Sequence, residues 1–122
     1  YQYDTAFSVE GGYKAMVYLS SLFPQPTAIL THNNMSTIGV LQYCQEKGIK
    51  SPKTISIAAF DTLDNLELIS IRPTVASFNT KHMGQMAGKA LLERIEDPSL
   101  PNREFIEEPV LLKGNAIMKV GS

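Results

Sequence analysis

The chain has 122 residues, 43% of them hydrophobic and 19% charged, with a formal net charge of −1. The length suits one compact domain, and the apolar content is that of a folded protein rather than a disordered tail. Near-neutral charge gives no basic field for gripping nucleic acid or an anionic membrane, and no apolar run reaches membrane-spanning length. The lone cysteine, Cys44, can form no internal disulfide and fits a reducing compartment. The start, Tyr1-Gln2-Tyr3-Asp4, lacks an initiator Met and the basic and apolar regions of a signal peptide, so the chain is expected to be a fragment.

In chain order, residues 10–23 read as a helix, because Gly12, Ala15, Met16, Leu19, Leu22 and Phe23 recur at three- and four-residue steps until Pro24 and Pro26 stop it. Residues 27–31 form a short apolar run, read as a buried strand. Asn33 or Asn34 can then cap a helix that runs to about Lys47 and ends on a left-handed Gly48. Residues 54–60 are a second strand, followed by Asp61 and Thr62, and residues 63–70 are ambiguous between helix and loop. Residues 74–78 read as a third strand. Asn79 or Thr80 can cap a helix with Met83, Met86, Ala87, Ala90, Leu91 and Ile95 on one stripe. After a surface connection over 97–103, residues 104–112 and 116–120 look like two extended segments, paired antiparallel near an edge. This alternation argues for an α/β fold with a mainly parallel sheet flanked by helices. The helix after Asn33 is apolar on two sides. Val40, Leu41 and Cys44 suit a sheet, while Met35 and Ile38 need a second cover, either another part of the chain or a second subunit.

Open α/β sheets bind ligands beyond the carboxyl ends of their strands. That rule selects His32, Asn33 and Asn34 after the first strand, Asp61 and Thr62 after the second, and Phe78, Asn79 and Thr80 after the third. A carboxylate and amides that bridge hydroxyls, with an aromatic ring, suit a neutral polyhydroxylated ligand. Helix capping explains Asn33 and Asp61 equally well at this point. Enzyme signals are poor: no nucleophile elbow, P-loop or dinucleotide fingerprint is present. His32 and His82 have no metal-ligand partners at suitable spacing. Cys44 reads as a small core hydrophobe, Met83 and Met86 as core packing, and Glu104, Glu107 and Glu108 as a solvated face. No catalytic residue, metal or cofactor is expected.

Several stretches resemble the lactose/galactose-repressor (LacI/GalR) family of bacterial transcription regulators. Pro26-Thr27-Ala28-Ile29 with Asn33-Asn34 and Gly39 resembles its Pro-Thr-Ala-Ile … Asn-Asp-x-x-Ala-x-Gly pattern. Glu46-Lys47-Gly48-Ile49, Pro52 and Ile55-Ser56-Ile57-Ala58-Ala59-Phe60-Asp61 resemble its Gly-Ile-x-Val-Pro-x-Asp-Ile-Ser-Val-Val-Gly-Phe-Asp stretch, and Arg72-Pro73-Thr74-Val75 its Pro-x-Leu-Thr-Thr-Val stretch. Gly84, Ala87 and Leu91-Leu92 fit the helix that follows, and the likeness runs from about Phe7 to Leu112.

The resemblance implies the C-terminal portion of a periplasmic-binding-protein-like effector domain of two α/β lobes, here residues 1–122 as mostly the C-terminal lobe. The DNA-binding helix-turn-helix, the N-terminal lobe's sheet and the start of the C-terminal lobe would lie upstream, and the helix over 80–96 would pack on the missing lobe. By residue, Asn33 matches an effector-contacting Asn, Asp61 an Asp that bridges sugar hydroxyls, and Phe7 a frequent stacking aromatic. Phe78 or Thr80 falls on the wall at the third crossover, and Met35, Ile38, Leu68 and Ile69 fall on the dimer interface. The implied partners are a sugar or phosphosugar effector, a second copy, and operator DNA through the missing domain, in the cytoplasm and away from membranes. The alternative is a periplasmic sugar-binding protein of a transport system. Asn34 for Asp, Ala58-Ala59 for Val-Gly, Thr62 for Asp and Lys113-Gly114-Asn115 for Arg-x-Ser depart from the family pattern.

Overall fold

A computed structural model describes residues 1–63 and 69–119. It divides into two units, Tyr1–Ser77 with Leu111–Ser122, and Phe78–Val110.

In the first unit, α1 spans Val9–Ser20, with the Ser8 hydroxyl accepting from the Gly11 amide at 3.0 Å. The helix stops short of the expected Phe23. Ser21 closes it, and Phe23 is 96% exposed, because a residue before proline is pushed out of helical geometry. Strand β1 covers Ala28–Thr31 and α2 covers Asn34–Glu46. Gly48, at φ +65°, turns α2 off. The Gly48 amide donates to Gln45 and the Ile49 amide to Cys44, which satisfies carbonyls the helix itself cannot. Strands β2, Ser56–Phe60, and β3, Thr74–Ser77, complete the expected order. Strand β4, Val110–Leu112, lies where the chain leaves the second unit and re-enters the first.

The sheet order is β1-β2-β3-β4. β1 and β2 pair in parallel with Thr31 opposite Ala59, and β2 and β3 in parallel with Phe60 opposite Ala76. The carboxyl ends of β1 and β2 therefore lie side by side. The core joins Met16 of α1, Val40, Leu41 and Cys44 of α2, Ile29 and Ile57 of the sheet, Ile55 just before β2, Leu63 and Ala116. Burial pushes the Cys44 thiol above its usual range, as fits an inert core position.

The C-terminal segments depart from the expected antiparallel pair. Only residues 110–112 of the first are strand, and they lie beside β3. In the second, the described residues 116–119 are not strand. Its Ala116 carbonyl accepts from the Ile57 amide at 2.7 Å, and its side chain is fully buried. The Ile57 amide needs an acceptor at a level before β3 begins, and Ala116 supplies it.

Helices α1 and α2 meet backbone to backbone. A Cβ at Gly12 would strike the Ser36 backbone, and one at Gly39 would strike the Val9 carbonyl and the Tyr13 amide. At the far end the Tyr13 hydroxyl donates to Glu46 at 2.8 Å and the Tyr13 and Tyr43 rings meet edge-on.

In the second unit, α3 spans Thr80–Glu96, with the Asn79 side chain accepting from the His82 amide at 3.0 Å. The following segment folds back on it through His82 to Glu107 at 2.8 Å and Arg103 to Glu93 at 2.7 Å. Two expectations fail here. Met83 and Met86 are not core residues, because α3 has no buried residue. Glu107 is not simply solvated, since its carboxylate pairs with His82. Both outcomes depend on what the helix packs against, which its own periodicity does not specify.

Gly39→Ala is expected to destabilise the fold by about 1–3 kcal/mol, since neither backbone can move aside cheaply; denaturant unfolding with an unchanged midpoint would contradict the close contact. Among the described residues no strand pairs with the outer edge of β1, and Leu30, Leu91, Leu92 and Ile95 are exposed. An open parallel edge in the first unit and an exposed apolar stripe on α3 in the second each favour association. The isolated chain is expected to self-associate in light scattering, and a monodisperse monomer would count against this.

Candidate ligand-binding site

The parallel strands bring His32-Asn33 and Asp61 to the same end of the sheet. Asn33 leaves β1 in an extended conformation and caps α2, its Oδ1 accepting from the Ser36 amide at 2.8 Å. Its carbonyl accepts from the Thr37 hydroxyl at 2.7 Å, and that hydroxyl lies 2.6 Å from the Thr31 hydroxyl. Thr31 reaches the Ala58 carbonyl of β2 at 3.4 Å. Asn33 is only 8% exposed and Thr37 fully buried. The capping explanation of Asn33 is therefore physically present, whatever else the residue does. Its amide nitrogen lies 2.7 Å from His32 Nε2, which leaves one amide hydrogen without a described partner.

Asp61 sits at φ +79°, a left-handed conformation that Asp tolerates better than most residues. Its amide donates to the Ala76 carbonyl at 2.9 Å, and its Oδ1 accepts from the Thr62 amide at 2.9 Å. The Thr62 hydroxyl bonds to that of Ser77 at 3.0 Å, tying the turn after β2 to the end of β3. The carboxylate thus points from a turn anchored to two strands, with one oxygen not engaged in a described bond.

Phe7 precedes α1 and is 77% exposed, with its ring edge-on to His32 at 4.9 Å between centroids. An exposed aromatic joined to an amide through His32 can cover an apolar ligand face while hydroxyls pair with the polar groups. Phe7, Asn33 and Asp61 therefore belong to one unit, and Phe7 joins Asn33 through His32. Phe78 and Thr80 open the second unit. Met35 and Ile38 are about two-fifths exposed on α2, Ile69 is partly packed on the core, and Leu68 lies outside the described residues.

Thr31, Thr37 and Ser77 support the site and were not singled out by the sequence. The only signal for the threonines is a hydroxyl at an otherwise apolar buried position. A cavity of about 640 Å³ runs along the outer edge of β1 between Tyr1–Thr5 and the two helices, and of the site residues His32 and Thr31 line it, while Asn33 and Asp61 do not. It is lined by Ser36, whose buried hydroxyl has no described partner. Among the described residues no group of three or more His, Cys, Asp or Glu side chains could hold a metal, and no helix is long and apolar enough to cross a membrane.

Residues 1–114 match the family described as periplasmic binding protein-like domain. A relative named HTH-type transcriptional repressor PurR, from Glaesserella parasuis, is 32% identical over 103 residues, which are 81% of this chain and 30% of that protein. The chain thus spans about a third of the length of the curated relatives it matches. A LacI regulator structure from Bacillus cereus subsp. cytotoxis is similar at TM-score 0.85 and 30% identity, covering 92% of this chain and 40% of that one. A LacI family regulator from Enterococcus faecium with bound ribose is similar at TM-score 0.83 and 27% identity, covering 92% and 41%. The parallel α/β sheet, the capped helix beside its carboxyl end and these likenesses agree, and the chain belongs to the periplasmic binding protein-like domain family, within its LacI/GalR group.

Proposed function

We propose that the chain is the effector-binding and dimerisation region of a sugar-responsive transcription regulator. The observation that carries this reading is the grouping of Asn33 and Asp61 at adjacent strand ends, in a fold similar to a regulator with ribose bound. Asn33, the Asp61 carboxylate and the Phe7 ring are the effector groups of the first unit. The effector is a small sugar that the site binds and does not transform, so the chain works by binding rather than catalysis, in the cytoplasm.

Met35 and Ile38, apolar and exposed on α2, are the face for a second copy, together with the region of Leu68 and Ile69. The open face of α3 is the surface on which a second lobe would sit. Operator DNA is contacted by a segment outside these 122 residues, consistent with the net charge of −1. Effector binding shifts the balance between two arrangements of the whole protein, by as much as its affinity differs between them. A periplasmic transport role has a similar fold, but the named relatives are repressors, which does not favour it.

Asp61→Ala in the intact protein is expected to weaken ribose binding about 10- to 100-fold, the size of lost hydrogen bonds to a charged group, with little loss of fold. Calorimetric titration with circular dichroism checks both. Unchanged affinity in a folded variant would remove Asp61 from the site.

A further inference from the structure

The Asn33 cap determines more than the start of α2. Its Oδ1 accepts from the Ser36 amide, so the side-chain amide has one permitted orientation; the flipped form would set an NH2 against an N–H. The nitrogen directed at His32 Nε2, 2.7 Å away, is therefore a donor. A donor there requires a lone pair on Nε2. The imidazole is then neutral, and its proton sits on Nδ1.

The neighbourhood agrees. His32 is exposed, its ring meets the edge of Phe7, and no described partner takes Nδ1. The described groups at the strand ends of the first unit are His32, Asn33, Asn34, Asp61, Thr62 and Ser77, and Tyr1–Thr5 line the cavity that His32 also lines; together they hold two carboxylates, Asp4 and Asp61, and neither Lys nor Arg. A neutral donor among carboxylates favours an uncharged oxygen acceptor and disfavours a phosphate dianion.

We infer that His32 is a specificity-determining residue of this site, locked by Asn33 as the Nδ1–H tautomer to donate to an oxygen of an unphosphorylated sugar. The inference rests on the effector reading above. It also links ligand to helix: a group that pulls on His32 pulls, through one hydrogen bond, on the amide that holds the first turn of α2.

The test uses the intact protein labelled with 15N at histidine, with His32→Phe assigning the signal. Nitrogen–proton correlation spectra are expected to show His32 with Nδ1 protonated and Nε2 bare; an Nε2–H tautomer overturns the proposal whatever ligands do. His32→Phe keeps a ring against Phe7 but removes the donor, and is expected to weaken ribose about tenfold, the worth of one hydrogen bond. His32→Gln, which can still accept from Asn33 and donate outward, is expected to recover part of that loss. Ribose 5-phosphate is expected to bind at least about tenfold more weakly than ribose. Ribose affinity unchanged in His32→Phe, or tighter binding of the phosphorylated sugar, overturns the assignment. Failure of the effector reading looks different: the unaltered protein then binds neither sugar while the tautomer signal persists, and the role of His32 as an effector contact falls with it.

Discussion

The contact between Gly12 and Gly39 sets the rest of the first unit. Without side chains between them, α1 and α2 approach until backbone meets backbone, and a single methyl on either side would force them apart. The residue that a Gly12 Cβ would strike is Ser36, and the Ser36 amide is the one capped by Asn33. The helix contact and the candidate site therefore share one residue, Ser36, through its carbonyl side and its amide respectively. A displacement of α2 moves the cap, and with it the side chains at the end of β1.

Beneath the site the Thr37 hydroxyl donates to the Asn33 carbonyl and accepts from the Thr31 hydroxyl at 2.6 Å, with the Ala58 carbonyl of β2, 3.4 Å from Thr31, as the alternative acceptor for that one proton. Buried hydroxyls cost least when paired, and those of Thr31 and Thr37 are, while the Ser36 hydroxyl beside them has no described partner. These bonds tie helix to sheet at the point where Asn33 must be held. Capping and ligand binding are not rivals for this residue. The cap uses one oxygen lone pair and fixes the orientation of the amide, which is what a binding group needs in order not to lose freedom when the ligand arrives. Asp61 follows the same logic. Its left-handed turn is held by the bond to Ala76 and by Thr62 bonded to Ser77, so the carboxylate stands on a braced loop.

Much of this was legible in the sequence, for local reasons. Asn33 and Asn79 cap helices because their side chains are short acceptors at the right offset, and Gly48 takes the positive φ that a Cβ resists. Val40, Leu41 and Cys44 point to one side because helical spacing puts them there. The errors came where an outcome depended on distant chain. Leu22 and Phe23 continue the helical stripe, yet Pro24 ends it first. Residues 104–109 have the composition of a strand but find no ladder. Met83 and Met86 have the spacing of a core stripe, but α3 buries nothing. Glu107 reads as solvated until folding brings His82 to it across 25 positions.

What the sequence determined by itself is what neighbours within a few residues can settle: the strand–helix alternation, the caps, the breaks at Pro and Gly, and which polar residues follow each strand. The tertiary structure decided which of those polar residues meet. Parallel pairing of β1 with β2 brought Asn33 and Asp61 to the same end of the sheet, the ring of Phe7 came edge-on to His32, and the Ser36 amide chose the orientation of the Asn33 side chain and hence the tautomer of the histidine. Periodicity acts along the chain, whereas a hydrogen bond between remote groups exists only once packing has brought donor and acceptor within 3 Å or so of each other.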